Sequence, residues 1–263
     1  MYSLYTMRHR VKARMERLWP PAAGEEKQAG AGTGGTALWE SCAVVGNSGS
    51  LLGAGHGARI DAHAVVIRLN NAPVAGFRDA VGAKTNVSVV NGWKLADCER
   101  DGRCTEACWP YGGRVALLVD AFEPQMRKMT FDCQHRFDRR LVQPVDGGLL
   151  RLLETRVMAE YETARIKRHP RGMWQRLVEE RRKVKMKAST GLQAVFVALS
   201  QCERVGLFGF GEAGAAQHHY YEADTVQEIP DHSYGAEQLF YQDLVRGNTT
   251  LEGDFPLPAV TVY

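Results

Sequence analysis

Residues 42 to 85 read Cys42-Ala-Val-Val-Gly46-Asn47-Ser-Gly49, run on to Val66-Ile67-Arg68-Leu69-Asn70-Asn71-Ala72-Pro73, and close on Val81-Gly82-Ala83-Lys84-Thr85. A short apolar run, Ala43 to Val45, empties into a glycine turn. A small-residue segment with helical potential follows, and then a second apolar run, Ala64 to Leu69. Strand, glycine turn, helix, strand is the order of a nucleotide-binding βαβ unit. Glycines at 46 and 49 let the backbone turn sharply and bring peptide N–H groups close to a ligand. Gly46, Gly49, Gly53, Gly55 and Gly57 form no G-x-G-x-x-G directly after the strand, which disfavours a dinucleotide oxidoreductase. From these residues alone, a generic strand-to-helix turn and a nucleotide cradle stand side by side.

Outward from this unit, the alternation continues. Asn86 to Val90 gives a third apolar alternation and Val115 to Val119 a buried strand, while Pro110 and Gly112-Gly113 punctuate a cysteine-bearing loop over 97–113. Residues 149 to 185 read mostly as helix, interrupted at Pro170-Arg171-Gly172. Thr190 to Gln201 reads as an apolar helix with Ser189 as its N-cap. Val205 to Phe210 is a strand, Ala236 to Val245 a helix, and Pro256 to Val262 a late edge strand. Strands alternating with helices predict a single Rossmann-like α/β domain, its mainly parallel sheet covered on both faces. Residues 1–37, basic and then Gly-rich, read as a flexible leader, which leaves 38–263 as the domain.

With 263 residues and 44% hydrophobic content, the chain can bury one sizeable core. Residues 1 to 20 hold no apolar run near the ~20 residues a membrane span needs, and no signal peptide is visible. Residues 150 to 187 carry twelve Lys or Arg against five Glu, a surplus of seven positive charges. A solvated helix face explains this; a field that draws in an anionic donor or acidic glycan is the functional alternative. Nucleic acid fits poorly, because no aromatic residues are interleaved at base-stacking spacing. The C-x5-C-x3-C spacing of Cys98, Cys104 and Cys108 is not that of a common zinc site, and local disulfides or free thiols suit these and Cys133 better.

A second stretch sharpens the reading. Ser189-Thr190-Gly191 opens the apolar run, which leads into Cys202-Glu-Arg-Val-Gly-Leu-Phe-Gly209-Phe-Gly211. His218-His219-Tyr220-Tyr221-Glu222 and His232-Ser-Tyr-Gly-Ala-Glu237 follow. With the stretch around 42, these blocks resemble, in order, the large, small, third and very-small sialylmotifs of the eukaryotic sialyltransferases, glycosyltransferase family 29. The resemblance covers roughly residues 39 to 247 and is weak between 95 and 185.

The resemblance implies a variant GT-A-like glycosyltransferase that moves sialic acid, or a related keto-sugar acid, from its cytidine monophosphate donor to a terminal sugar hydroxyl with inversion. It implies no metal and no cofactor beyond the CMP-sialic acid substrate. His232 falls on the catalytic base, with Glu237 as its partner in His-x4-Glu, and His219 on the histidine that hydrogen-bonds the donor phosphate. A neutral imidazole suits base catalysis near neutral pH. Asn47 and Asn70 fall on nucleotide-binding positions, and Gly191 and Gly211 on backbone-approach positions beside the cytidine. Ser189 and Thr190 offer hydroxyls, and the helix after them N–H groups, to the phosphate or carboxylate. Tyr220 and Glu222 belong to the third motif, and His218 is a neighbour without a direct role. Cys42 and Cys202 sit where the family pairs its cysteines across the two halves of the nucleotide site. The expected setting is the Golgi lumen, behind a type II anchor that this chain does not contain. The partners are the nucleotide sugar and a glycan of a glycoprotein or glycolipid.

Two departures matter. Ser50 stands where the first motif often carries a second asparagine, and Lys187-Ala188 stands where Tyr-Pro often precedes Ser-Thr-Gly. The lysine adds a charge where an aromatic ring is lost. These changes keep open an alternative, a non-catalytic CMP-sugar or glycan-binding protein of the same fold.

Overall fold

In the computed structural model the described residues are 39–94, 115–121, 123–136, 142–182, 187–210, 218–223, 232–249 and 257–263. The leader, the cysteine loop and Gly211 lie outside them.

Seven strands form one parallel sheet: β1 (Trp39–Val45), β2 (Val65–Leu69), β3 (Val87–Asn91), β4 (Ala116–Asp120), β5 (Val142–Pro144), β6 (Cys202–Phe208) and β7 (Ala259–Val262). Their order is β5-β4-β3-β2-β1-β6-β7. The central strands are apolar on both faces because both are covered. Cys42 and Val44 face one core with Ile67, Val89 and Phe196, while Ala43 and Val45 face the other with Leu51, Ile60 and Phe208. The predicted edge strand is present as β7, and β1 opens on Trp39.

The helices are α1 (Gly57–Asp61), α2 (Arg78–Val81), α3 (Pro124–Arg136), α4 (Gly147–Leu152), α5 (Ala159–Lys167), α6 (Trp174–Arg182), α7 (Thr190–Gln201) and α8 (Tyr234–Arg246). A π-helical segment, Leu153–Met158, joins α4 to α5. The predicted helical stretch thus holds α4 to α6, broken after Lys167, just ahead of Pro170 and Gly172. The most apolar helix, α7, lies across β1, β2, β3 and β6 and is buried along its length apart from Thr190. Much of the basic stretch is surface: Arg151, Arg156, Lys167, Arg168 and Arg171 are exposed.

Two details set up the site. The chain lays down β1 to β5 in one direction and then returns to place β6 on the other side of β1. At such a reversal the loops leaving the two strands diverge, and a crevice opens at their carboxyl ends. The Cys42–Cys202 disulfide joins the same two strands, with Cα atoms 6.0 Å apart. Cys202 is the first residue of β6, so the bridge lies below the crevice and fixes the strands rather than the site loops. Closing a loop of 160 residues is worth about 5 kcal/mol on the chain-entropy account.

Candidate active site

The crevice is built from glycine upward. The Gly46 N–H donates to the Phe208 carbonyl at 2.8 Å, and a Cβ on Gly46 would lie 3.0 Å from the Gly209 carbonyl oxygen. Only glycine lets β1 and β6 end this close together. Asn47 follows at once. Its backbone carbonyl accepts the Tyr220 N–H at 2.8 Å, and its Nδ2 reaches the Tyr221 hydroxyl at 3.5 Å. Its Oδ1 is buried with no hydrogen-bond partner. A buried acceptor left unpaired is costly, and this oxygen is open to a donor from outside the protein.

Asn70 sits one strand over with φ of 54°, in the left-handed region that asparagine tolerates. Its Oδ1 accepts the Asn91 N–H at 2.9 Å, so this oxygen shapes the strand ends. Ser50 is exposed in a turn that Ser48 caps by accepting the Ser50 N–H.

The third-motif residues form a ring cluster against this crevice. Glu222 accepts from His219 Nδ1 at 2.5 Å, which turns Nε2 the other way. Tyr221 stacks on His219 with centroids 5.1 Å apart and planes 10° apart. Tyr220 is a bolt: it is buried, packs edge-on against Phe77, and donates its hydroxyl to the Pro73 carbonyl at 2.6 Å. Burial pushes the Tyr220 and Tyr221 hydroxyls up to about 12.

From His219 the cluster continues to His232. His218 lies 4.3 Å from His219 and 6.3 Å from Tyr234, and Tyr234 lies 5.9 Å from His232, all between ring centroids. The two histidines singled out from the sequence therefore belong to one cluster, with His218 between them. Burial, and then the neighbouring His219, lower the His218 pKa. Half-buried at the start of α8, His232 has its Nδ1 2.9 Å from the Lys187 carbonyl. A carbonyl only accepts, so Nδ1 carries the proton, and in the neutral ring Nε2 keeps its lone pair.

Glu237 takes another place than the sequence suggested, and Ser189 keeps its capping role but not the expected one toward an anion. The Glu237 carboxylate does not hydrogen-bond His232. It accepts from the Ser189 N–H at 2.9 Å, the Ser189 hydroxyl at 2.6 Å and the Tyr241 hydroxyl at 3.2 Å. Burial pushes Glu237 up, against the pull of the Ser189 bonds and the His232 charge. Ser189 is the predicted N-cap of α7, its Oγ accepting from the Leu192 N–H, so its hydroxyl is committed and does not await an anion. Gly191 is buried against Phe210, where a Cβ would meet the ring at 3.2 Å, so packing accounts for this glycine. Thr190 is half-exposed at the first turn of α7. Lys187 is half-buried, and its backbone carbonyl, not its charge, makes the contact with His232.

Sequence reading missed Asp120, Gln193, Tyr221 and Tyr234. Asp120 ends β4 and accepts from Gln193 Nε2 at 2.7 Å. Burial pushes its carboxyl up, while the Gln193 hydrogen bond and the Lys187 and His232 charges oppose this. A polar residue inside the apolar run of α7 was the available signal for Gln193. Among the described residues, no group of three or more His, Cys, Asp or Glu side chains is placed to hold a metal ion.

A model of glycosyltransferase family 29 (sialyltransferase) matches residues 4–109 and 161–249. Sialyltransferase-like protein 1 of Oryza sativa subsp. japonica is 40% identical over 206 residues, covering 78% of this chain and 52% of the rice protein. A β-1,6-galactosyltransferase of Arabidopsis thaliana is 35% identical over 239 residues, covering 85% of this chain and 56% of its own length. The chain thus spans about half the length of the curated relatives it matches. A mammalian sialyltransferase crystallised with Gal-beta-1-3GalNAc-ortho-nitrophenol shares the fold, with a TM-score of 0.51 at 19% identity over 99% of this chain and 85% of that one.

Proposed function

The chain belongs to glycosyltransferase family 29, and we propose that it transfers a keto-sugar acid, sialic acid or a relative, from a cytidine monophosphate donor to a terminal hydroxyl of a glycan, with inversion. The observation that carries this is His232, its Nδ1 proton held by the Lys187 carbonyl and its Nε2 left as a base, in one ring cluster with the His219–Glu222 pair.

The cytidine monophosphate lies at the carboxyl ends of β1 and β6. A donor group on it meets the unpaired Asn47 Oδ1, and His219, its Nδ1 held by Glu222, turns Nε2 to the phosphate. The acceptor hydroxyl gives its proton to His232 Nε2 as its oxygen bonds to the anomeric carbon. The bond from that carbon to the phosphate oxygen breaks, and cytidine monophosphate leaves with the electron pair. Stabilising charge on the departing phosphate and removing the acceptor proton are the two tasks, and each has a histidine. The glycan acceptor belongs to a glycoprotein or glycolipid. The Cys42–Cys202 disulfide suits an oxidising compartment, consistent with a Golgi lumen. Among the described residues no helix is long and apolar enough to cross a membrane. Asn86-Val87-Ser88 and Asn248-Thr249-Thr250 are glycosylation sequons; Asn86 is half-buried beside the buried Ser88 and Asn248 is exposed, which makes Asn248 the candidate glycan site.

A second reading, a neutral hexose donor, is favoured by the relationship to the galactosyltransferase at 35% identity. Labelled CMP-sialic acid, other CMP-linked keto-sugar acids and UDP-galactose offered with a panel of glycan acceptors separate the two. Transfer from a CMP-linked acid supports the first reading. Transfer from UDP-galactose alone replaces it with the second, and nucleotide binding without transfer from any donor replaces both with a binding protein.

A further inference from the structure

The turn Lys187-Ala188-Ser189, ahead of α7, offers three successive backbone groups to three side chains. The Lys187 carbonyl takes the His232 Nδ1–H at 2.9 Å, the Ala188 carbonyl takes Gln193 Nε2–H at 3.3 Å, and the Ser189 N–H goes to Glu237 at 2.9 Å. His232 and Glu237 come from one side of the turn, at the start of α8. Gln193 comes from the other, and is itself tied to the end of β4 through Asp120 at 2.7 Å.

Gln193 is 1% exposed and Asp120 8%. Its two Nε2 partners are both acceptors, so only one orientation of the Gln193 amide serves them. The remaining oxygens, Gln193 Oε1 and Asp120 Oδ1, are buried and unpaired. A buried amide and carboxylate with two unpaired oxygens are less favourable than apolar residues in the same volume. Their presence beneath the base therefore calls for a role that packing does not supply.

We propose that Gln193, braced by Asp120, is a positioning residue for His232. By holding the Ala188 peptide it fixes the adjoining Lys187 carbonyl, and that carbonyl keeps the imidazole in its Nδ1–H tautomer with Nε2 aimed at the acceptor. The proposal rests on the reading of His232 as the base. Small displacements of a reacting group are costly in rate, so the effect falls on turnover and not on donor binding.

Gln193→Met keeps the volume and removes both hydrogen bonds, whereas Asp120→Asn still offers Gln193 an acceptor. Gln193→Met is expected to lower kcat about tenfold with the donor KM within about twofold. Its His232 imidazole 15N spectrum is expected to pass from one fixed tautomer to a mixture. Asp120→Asn is expected to keep most of kcat and the wild-type spectrum. The proposal is overturned if Gln193→Met matches wild type in kcat and tautomer, or if Asp120→Asn loses as much as Gln193→Met. Should Gln193→Met not fold, Asp120→Leu, which frees Gln193 on the strand side, carries the same expectation and the same overturning result. If the wild-type chain transfers no sugar, the functional reading fails by itself, and the tautomer comparison still decides the role of Gln193.

Discussion

Ser189 and Glu237, 48 residues apart, hold each other by two hydrogen bonds, backbone N–H to Oε1 at 2.9 Å and hydroxyl to Oε2 at 2.6 Å. The same hydroxyl accepts from the Leu192 N–H and so starts α7. One side chain thus caps the central helix and satisfies a buried carboxylate from α8. Ser189→Ala loses the cap and leaves Glu237 short of a donor, at a combined cost of about 2–4 kcal/mol. Urea unfolding measures it, and a change below about 0.5 kcal/mol contradicts the assignment.

Glu222 holds Nδ1 of His219 and so turns Nε2 toward the proposed phosphate position. Glu222→Gln keeps the shape but not the charge. Weaker binding of cytidine monophosphate and a lower transfer rate are expected together, by calorimetry and labelled-donor assay. Unchanged nucleotide affinity removes His219 from the phosphate.

Asn47→Ala carries a paired signature. Its Oδ1 is buried and unpaired at the end of β1. On the proposed binding role, removing it weakens ligand binding by about 1 kcal/mol and relieves an unsatisfied group. Nucleotide affinity is expected to fall about fivefold to tenfold while the chain remains as stable as before. A stability loss with unchanged affinity points to a structural asparagine instead.

Acid stability depends on His63. Its Nδ1 is buried and unpaired, and burial, then Arg204 and Lys84, hold its pKa below the ordinary 6.5. As pH falls through 6.5 the unfolded chain takes up the proton before the folded chain does, so the stability present above 6.5 is lost on acidification. Thermal melts of wild type and His63→Leu between about pH 7.5 and 5 are expected to diverge, with the variant losing less. Parallel curves exclude His63 as the source.

How far the sequence was legible follows from where each signal resides. The ends of the domain were readable because β1 and β6 are apolar runs closed by glycine, β2 is an apolar run closed by Asn70-Asn71, and α7 is an apolar run opened by a serine cap. By contrast, α3 is mostly polar, and its buried residues Met126, Thr130 and Cys133 were too few to stand out. The three residues of β5 carry no pattern at all. Arg68 looks misplaced within an apolar strand, yet it is buried and donates to the carbonyls of Val81 and Lys84, tying down the turn after α2. His219 and His232 could be named from their motifs. Their fixing partners were harder. Glu222 is three residues from His219, but His232 docks on a backbone carbonyl 45 residues away, and a carbonyl has no sequence identity. The Gln193–Asp120 contact spans 73 residues and depends on α7 lying across the sheet.

The central claim is that His232 removes the acceptor proton beside a nucleotide bound at the β1–β6 crevice. The direct measurement is transfer from labelled CMP-sialic acid by wild type and His232→Ala, with cytidine monophosphate affinity measured on the same two preparations. Transfer falling about 10²-fold or more, with affinity unchanged, is the predicted result. Near-normal turnover by His232→Ala contradicts it.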